Sequence, residues 1–260
     1  MTTTSTAPVG QLIRGWRQHR RLSQEELANR TEVSTRHLSC IETGRARPTS
    51  DMLLRLCDQL DVPLREQNQV LLAAGHAPAH PQHALDAPPM AEANAALEAI
   101  LAAHEPYPAL VVDRHWDLVA ANEAAYGLLA GVDAELLEPP VNVLRLSVHP
   151  RGLAPRIDNL DEWRAHLQER IAREARHTGD PVLAELAAEL ASGPASGGAA
   201  AESGAALVVP LRLRTPDGGV LSFVSTTTVF GTPREVTLSE LAIEAFYPAD
   251  DATRRALSRW

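Results

Sequence analysis

The sequence contains no lysine: all 24 of its basic residues are arginine. Codon bias accounts for such a replacement, and arginine's planar fork also suits bidentate contacts to phosphate and guanine. Cysteine is nearly as scarce. Cys40 and Cys57 stand 17 positions apart without further partners at metal-ligand spacing, so they read as two reduced thiols, with no disulfide framework and no metal site. No apolar run approaches the roughly 18–20 residues that span a bilayer. The N-terminal Met1-Thr2-Thr3-Thr4-Ser5-Thr6 lacks the basic and apolar regions of a secretory signal, so the expected location is cytoplasmic, with no membrane partner. Catalytic signatures are missing too: there is no G-x-S-x-G, no H-E-x-x-H, no P-loop and no G-x-G-x-x-G after a strand. Gly218-Gly219 reads as a hairpin turn, and neither an enzyme activity nor a cofactor is expected.

What is present is a 260-residue chain with 45% hydrophobic and 22% charged residues, the proportions of a globular protein long enough for two domains. Its net charge of −9 is unevenly spread. Residues 1–80 hold ten Arg against eight Asp/Glu, a balance of +2, whereas residues 81–260 hold 14 against 25, a balance of −11. The two halves therefore face different partners, and the first is the one suited to nucleic acid.

Residues 9–75 read as five short helices. Leu12, Ile13 and Trp16 fall at helical spacing in the first. Ser23, with Glu26 three residues on, carries the capping-box signature of a second helix bearing Leu27 and Ala28. Ser34 caps a third, whose apolar residues are Leu38 and Ile41, and Gly44 ends it. A loop over 45–49 leads to a fourth helix with Met52, Leu53, Leu56 and Leu60, and a fifth covers about 64–74. Residues 76–89 are proline-rich, carry three histidines and lack an apolar period, so they read as an extended linker. The expected organisation is a DNA-binding domain at 1–75, the linker, and an effector-binding or dimerisation domain at 90–260.

Beyond the linker, a helix at about 90–104 precedes two strand-like runs, 109–112 and 116–120, that form a hairpin. Short helices should follow at about 122–130 and 141–147, then longer ones at 161–177 and 181–191, the last opening on Asp180 and Pro181. Acidic residues mixed with arginines make 161–191 read as a solvated face. A Gly/Ala/Ser-rich loop at 192–204 leads to three strands, about 206–214, 220–229 and 234–246, and a terminal helix at about 250–258. This order implies an α+β domain: an antiparallel sheet with helices on one face.

Two short helices joined by a tight turn let the second enter the major groove while the first braces it across the backbone. The runs Leu22-Ser23-Gln24-Glu25-Glu26-Leu27-Ala28 and Val33-Ser34-Thr35-Arg36-His37-Leu38-Ser39-Cys40-Ile41-Glu42-Thr43-Gly44-Arg45 resemble the XRE, or phage-repressor-like, helix-turn-helix family over about residues 12–74. Thr35, Arg36, Ser39 and Cys40 fall off the buried face of the third helix and can point outward. The resemblance implies an all-α five-helix domain in which Gln24 contacts phosphate, Thr35, Arg36 and Cys40 face bases, and Ser34 and His37 lie close to the backbone. It places Arg45 and Arg47 in the loop after the recognition helix, and Arg17 and Glu42 as a buried pair tying the first helix to the third. Two departures stand out: Arg21 replaces a helix-ending glycine, and Cys40 replaces a longer polar side chain, leaving only a weak thiol donor.

The second half resembles the MmyB-like, PAS-like ligand-binding domain that some XRE regulators carry. The resemblance rests on Glu105-Pro106-Tyr107-Pro108-Ala109-Leu110-Val111-Val112-Asp113, Trp116-Asp117-Leu118-Val119-Ala120-Ala121-Asn122, Asn142-Val143-Leu144-Arg145-Leu146 and Trp163. It implies a five-stranded sheet around an apolar cavity, which in one branch of the family takes a long-chain fatty acid. Val112, Leu118, Leu211, Leu213, Phe223 and Phe230 are the candidate apolar lining, with a filled core as the alternative; Trp116, Tyr126, Arg145 and His149 are candidates to orient a polar head. The expected function is a sequence-specific transcription regulator, a homodimer on double-stranded DNA, whose second domain senses a small hydrophobic ligand. The alternatives are a ligand-free interaction module contacting RNA polymerase or a partner regulator, and, least favoured, an enzyme or a flavin- or haem-bearing sensor.

Overall fold

The computed structural model describes residues 7–192 and 208–258. The chain divides into two compact units, one formed by residues 1–83 with 233–239, the other by 84–232 with 240–260.

The first unit contains helices α1 (Val9–His19), α2 (Gln24–Thr31), α3 (Thr35–Glu42), α4 (Ser50–Gln59) and α5 (Leu64–Ala73). Each start is fixed locally. Ser23 and Glu26 exchange the two hydrogen bonds of a capping box, Ser34 accepts from the His37 amide, and Thr49 accepts from the Met52 amide. Gly44 ends α3 at φ +74, a conformation that costs glycine nothing. Arg21 reaches φ +56 after α1, so the arginine there adopts the left-handed turn that glycine usually supplies. Ile13, Leu27, Leu38, Ile41, Leu53, Leu56 and Leu60 form a fully buried core. Helix α1 crosses α3 so closely that a Cβ on Gly10 would lie 2.4 Å from the Ile41 carbonyl oxygen.

The segment expected as an extended linker departs from that reading over 76–83, where it is bonded into the first unit. Asn68 of α5 accepts from the Ala79 and His80 amides and donates to the His80 carbonyl; His76 and His80 reach Pro48 and Gln67. A short helix, α11 (Val236–Ser239), belongs to the same unit. The Glu235 carboxylate accepts from the amides of His83 (2.7 Å) and Leu238 (2.6 Å), and the Val236 amide donates to the Pro81 carbonyl. Buried amides need partners, and a proline-rich strand without a ladder finds them in side chains.

The second unit has strands β1 (Ala109–Val112), β2 (Leu118–Ala121), β3 (Leu211–Arg214), β4 (Val220–Val229) and β5 (Ala242–Pro248) in one antiparallel sheet of order β2-β1-β5-β4-β3. Its helices are α6 (Ala91–Ala103), α7 (Glu123–Leu128), α8 (Val143–Val148), α9 (Leu160–Thr178), α10 (Pro181–Ala191) and α12 (Asp251–Leu257). This is the α+β arrangement expected. The third strand begins at Leu211 and the last at Ala242; residues 236–239, expected as strand, are helical, because Glu235 caps them. The expected loop at 192–204 lies, apart from Ser192, outside the described residues. Side chains alternate across a strand, so one face of the sheet carries Leu110, Leu211, Leu213, Phe223, Glu244 and Phe246. Helices α9 and α10 complete the core on that face with Trp163, Leu167, Ile171, Leu183 and Leu186.

Candidate nucleic-acid interface and ligand cavity

In the helix-turn-helix, α3 buries Leu38, Ile41 and Glu42 and leaves Ser34, Thr35 and Arg36 exposed, with His37, Ser39 and Cys40 half-buried. Arg45 and Arg47 are exposed in the following loop. Among the described residues, the guanidinium groups of Arg36, Arg45 and Arg47 form no hydrogen bond or ion pair within the chain. Helix α3 and the loop after it thus offer three unspent cations, Arg36 from the helix and Arg45 and Arg47 from the loop. The Ser34 hydroxyl is occupied as a cap.

Gln24 is committed as well. Its Nε2 donates to Glu42 Oε2 at 2.8 Å, and Glu42 also receives Arg17 Nε (2.7 Å) and Nη2 (2.8 Å), joining α1, α2 and α3 in one buried knot. The Gln24 amide nitrogen keeps a second hydrogen for an external acceptor. Burial raises the Glu42 carboxyl, but the bonds from Arg17 and Gln24 outweigh it and hold the group below its ordinary value. Burial pushes the Cys57 thiol up to about 12, so it serves as an inert core residue.

The second unit contains a partly open cavity of about 100 Å³ between the inner sheet face and α7, α8 and α9. Leu110, Trp116, Leu118, Tyr126, Leu211 and Leu213 line it together with Leu167, Arg170, Glu244 and Phe246. Local bonding explains why the chain turns toward it. Asp113 Oδ1 accepts from the His115 and Asp117 amides, tightening the β1–β2 turn, and Trp116 is driven to φ +69. For a bulky residue this is strained, of order 1–3 kcal/mol, and it is held by Trp116 backbone bonds to Asp113 and Val143. The indole then donates to Glu174 (3.2 Å), and the Arg170 guanidinium lies 4.4 Å over its ring. Burial raises the Glu174 carboxyl, partly offset by the Trp116 bond.

Asn122 and Asn142 cap α7 and α8 and also bond across the fold, Asn122 to Ala109 and Tyr107, Asn142 to His115 and Asp117. They frame the cavity without lining it.

Of the expected ligand residues, Trp116, Leu118, Tyr126, Leu211 and Leu213 meet at the cavity. Five do not. Val112 and Phe223 are consumed by the packed core, the ordinary fate of apolar residues at strand spacing. Phe230 lies beyond the end of β4, half-buried. Arg145 is on the outward side of α8, paired with Glu189 at 2.9 Å, and His149 follows that helix, its Nδ1 accepting from the Arg151 amide. The charged residues at the cavity are Arg170 and Glu244, neither anticipated; Ser147, whose Oγ accepts from the Trp163 indole, adds a hydroxyl to the lining. A signal existed: Trp163, Leu167, Arg170 and Glu174 recur at intervals of three or four along α9, so the two charged residues sit on its apolar stripe rather than on a solvated face.

Residues 93–259 match the family model described as the MmyB-like transcription regulator ligand binding domain, and residues 8–69 match a helix-turn-helix domain. Among curated proteins, the transcriptional regulator ClgR of Mycobacterium tuberculosis is 34% identical over 88 residues, covering 34% of this chain and 76% of ClgR, in each of two strains. Among solved structures, an RsLOV variant aligns at 15% identity and TM-score 0.30 over 62% of this chain and 73% of that one. An RNA-binding light-oxygen-voltage receptor aligns at 16% and 0.31 over 98% and 62%. Scores this low group the chain with neither. Among the described residues no helix is long and apolar enough to cross a membrane. With the family's ligand-binding domain spanning more than half of its length behind a helix-turn-helix domain, the chain belongs to the MmyB-like transcription regulators.

Proposed function

We propose that this protein is a cytoplasmic, homodimeric regulator that binds a pseudo-palindromic DNA site through α3 and changes its DNA affinity when a small apolar molecule enters the second domain. The observation that carries the reading is the pairing, in one chain, of three unpaired arginines on α3 and the loop that follows it with an apolar cavity inside a ligand-binding-type domain. In this reading Arg36 and Thr35 read bases, Gln24, Ser34, His37, Arg45 and Arg47 hold the phosphate backbone, and Ser39 and Cys40 flank the bases. A two-fold axis doubles the few base contacts one short helix can make, with half-sites about 10 bp or a multiple apart. No catalytic step is assigned.

The experiment is operator selection from random DNA with the full chain, followed by anisotropy titrations with and without a panel of apolar compounds. A ligand at 100 times its Kd stabilises the folded state by about 2.7 kcal/mol, a readily measured shift in melting temperature. Expected is a compound that raises the melting temperature and changes operator affinity together. Selection of no sequence would remove the DNA reading, and a panel without any shift would remove ligand sensing.

A further inference from the structure

The cavity's one charged end is already neutral. Arg170 donates through Nη1 to Glu244 Oε2 (3.1 Å) and through Nη2 to Glu244 Oε1, and Thr227 adds hydrogen bonds to both partners. The Glu244 side chain is 5% exposed and Arg170 is the only cation in the lining. Glu174, which accepts from the Trp116 indole N–H, adds a second carboxyl rather than a second positive charge.

We propose that this cavity selects uncharged ligands: compact apolar molecules ending in a neutral hydrogen-bonding head such as a hydroxyl or carboxamide, and that it discriminates against carboxylates. The inference rests on the ligand-sensing reading above and narrows it. A carboxylate drawn to Arg170 must either lie against Glu244 in apolar surroundings, where two like charges cannot both stay ionised without penalty, or expel Glu244 from its partner and leave that carboxylate buried and unpaired. A neutral head meets neither cost. Arg170 has five N–H donors, of which the described bonds use three, so an oxygen acceptor can be met without breaking the pair. Apart from Ser147 and the polar tips of Trp116 and Tyr126, the remaining lining is apolar, including Leu110, Leu118, Leu211 and Phe246, and complements a short aliphatic or ring body. Size sets an upper bound: about 100 Å³ is below the roughly 150 Å³ of an engineered apolar cavity that binds benzene, so a body of about six carbons is admitted only as Tyr126, 47% exposed, moves aside.

The test is calorimetric titration and thermal melting of the full chain at pH 7.5 with three probes of one chain length: hexan-1-ol, hexanamide and hexanoate. The expected result is binding of the alcohol and the amide, with hexanoate at least tenfold weaker. In Glu244→Gln, which frees the Arg170 charge, hexanoate is expected to gain at least tenfold and the preference to reverse. Hexanoate binding wild type as tightly as hexanamide overturns the inference and leaves ligand sensing standing. Binding of none of the three overturns the inference, and ligand sensing falls with it only if the wider panel also fails. The wild-type comparison decides the matter even if Glu244→Gln does not fold, which circular dichroism would show.

Discussion

Arg17 and Glu42, 25 residues apart, are joined by two parallel hydrogen bonds of 2.7 and 2.8 Å that lock α1 to α3 of the helix-turn-helix domain. Both side chains are almost wholly buried, so removing one partner strands a charge. Glu42→Ala should cost about 3–5 kcal/mol, the range for breaking a buried pair from one side. Its folded carboxyl is held below the ordinary value, so the stabilisation is complete above the unfolded carboxylate range and is lost as pH falls through the depressed folded value. Denaturant melts between pH 7 and pH 3 should therefore show the gap between wild type and Glu42→Ala shrinking toward the acid end.

Arg36→Ala should weaken binding to the selected operator by about 1–3 kcal/mol and relax preference at one base step, as loss of a base-reading arginine does. Arg47→Ala should weaken all sequences evenly and reduce the salt slope by about one. Anisotropy titrations on matched and mismatched sites at several salt concentrations separate the two behaviours; equal losses for both variants on every sequence would place Arg36 on phosphate.

Glu174→Gln should stabilise the protein at neutral pH. Burial raises this carboxyl, so folding disfavours its charged form; its contribution is best below the unfolded pKa and declines as pH rises through the folded value. Glutamine keeps an acceptor for the Trp116 indole and carries no charge. Thermal melts should show the variant above wild type at pH 8 and level with it near pH 4.

Gly10→Ala sets two effects against each other. Alanine gains about 1 kcal/mol in helix propensity over glycine. Its Cβ, however, would come within 2.4 Å of the Ile41 carbonyl oxygen and 2.7 Å of that of Glu42, both backbone, so α1 must move off α3. Overpacking costs about 1–3 kcal/mol or more, and a backbone neighbour cannot rotate away, so the clash wins. A lowered melting temperature with an unchanged helical spectrum is the expected readout.

The sequence by itself determined the elements whose signals are local. Ser23 with Glu26, Ser34, Asp180 before Pro181, and the apolar pairs such as Leu38 and Ile41 place helix starts and buried faces within three or four residues, because a helix end must satisfy its own free amides and a helix buries one side. The hairpin and the helix order of the second unit were legible for the same reason. Tertiary structure alone decided the rest. Arg170 meets Glu244 across 74 residues and Glu235 meets the His83 amide across 152, separations over which no periodicity survives. Arg145, whose place in the sequence points to the polar head, pairs outward with Glu189, while Arg170, in a stretch that reads as a solvated face, turns inward onto Trp116. A charged residue's direction is set by whichever partner the assembled fold brings within reach, and that partner is invisible until the sheet and α9 have come together.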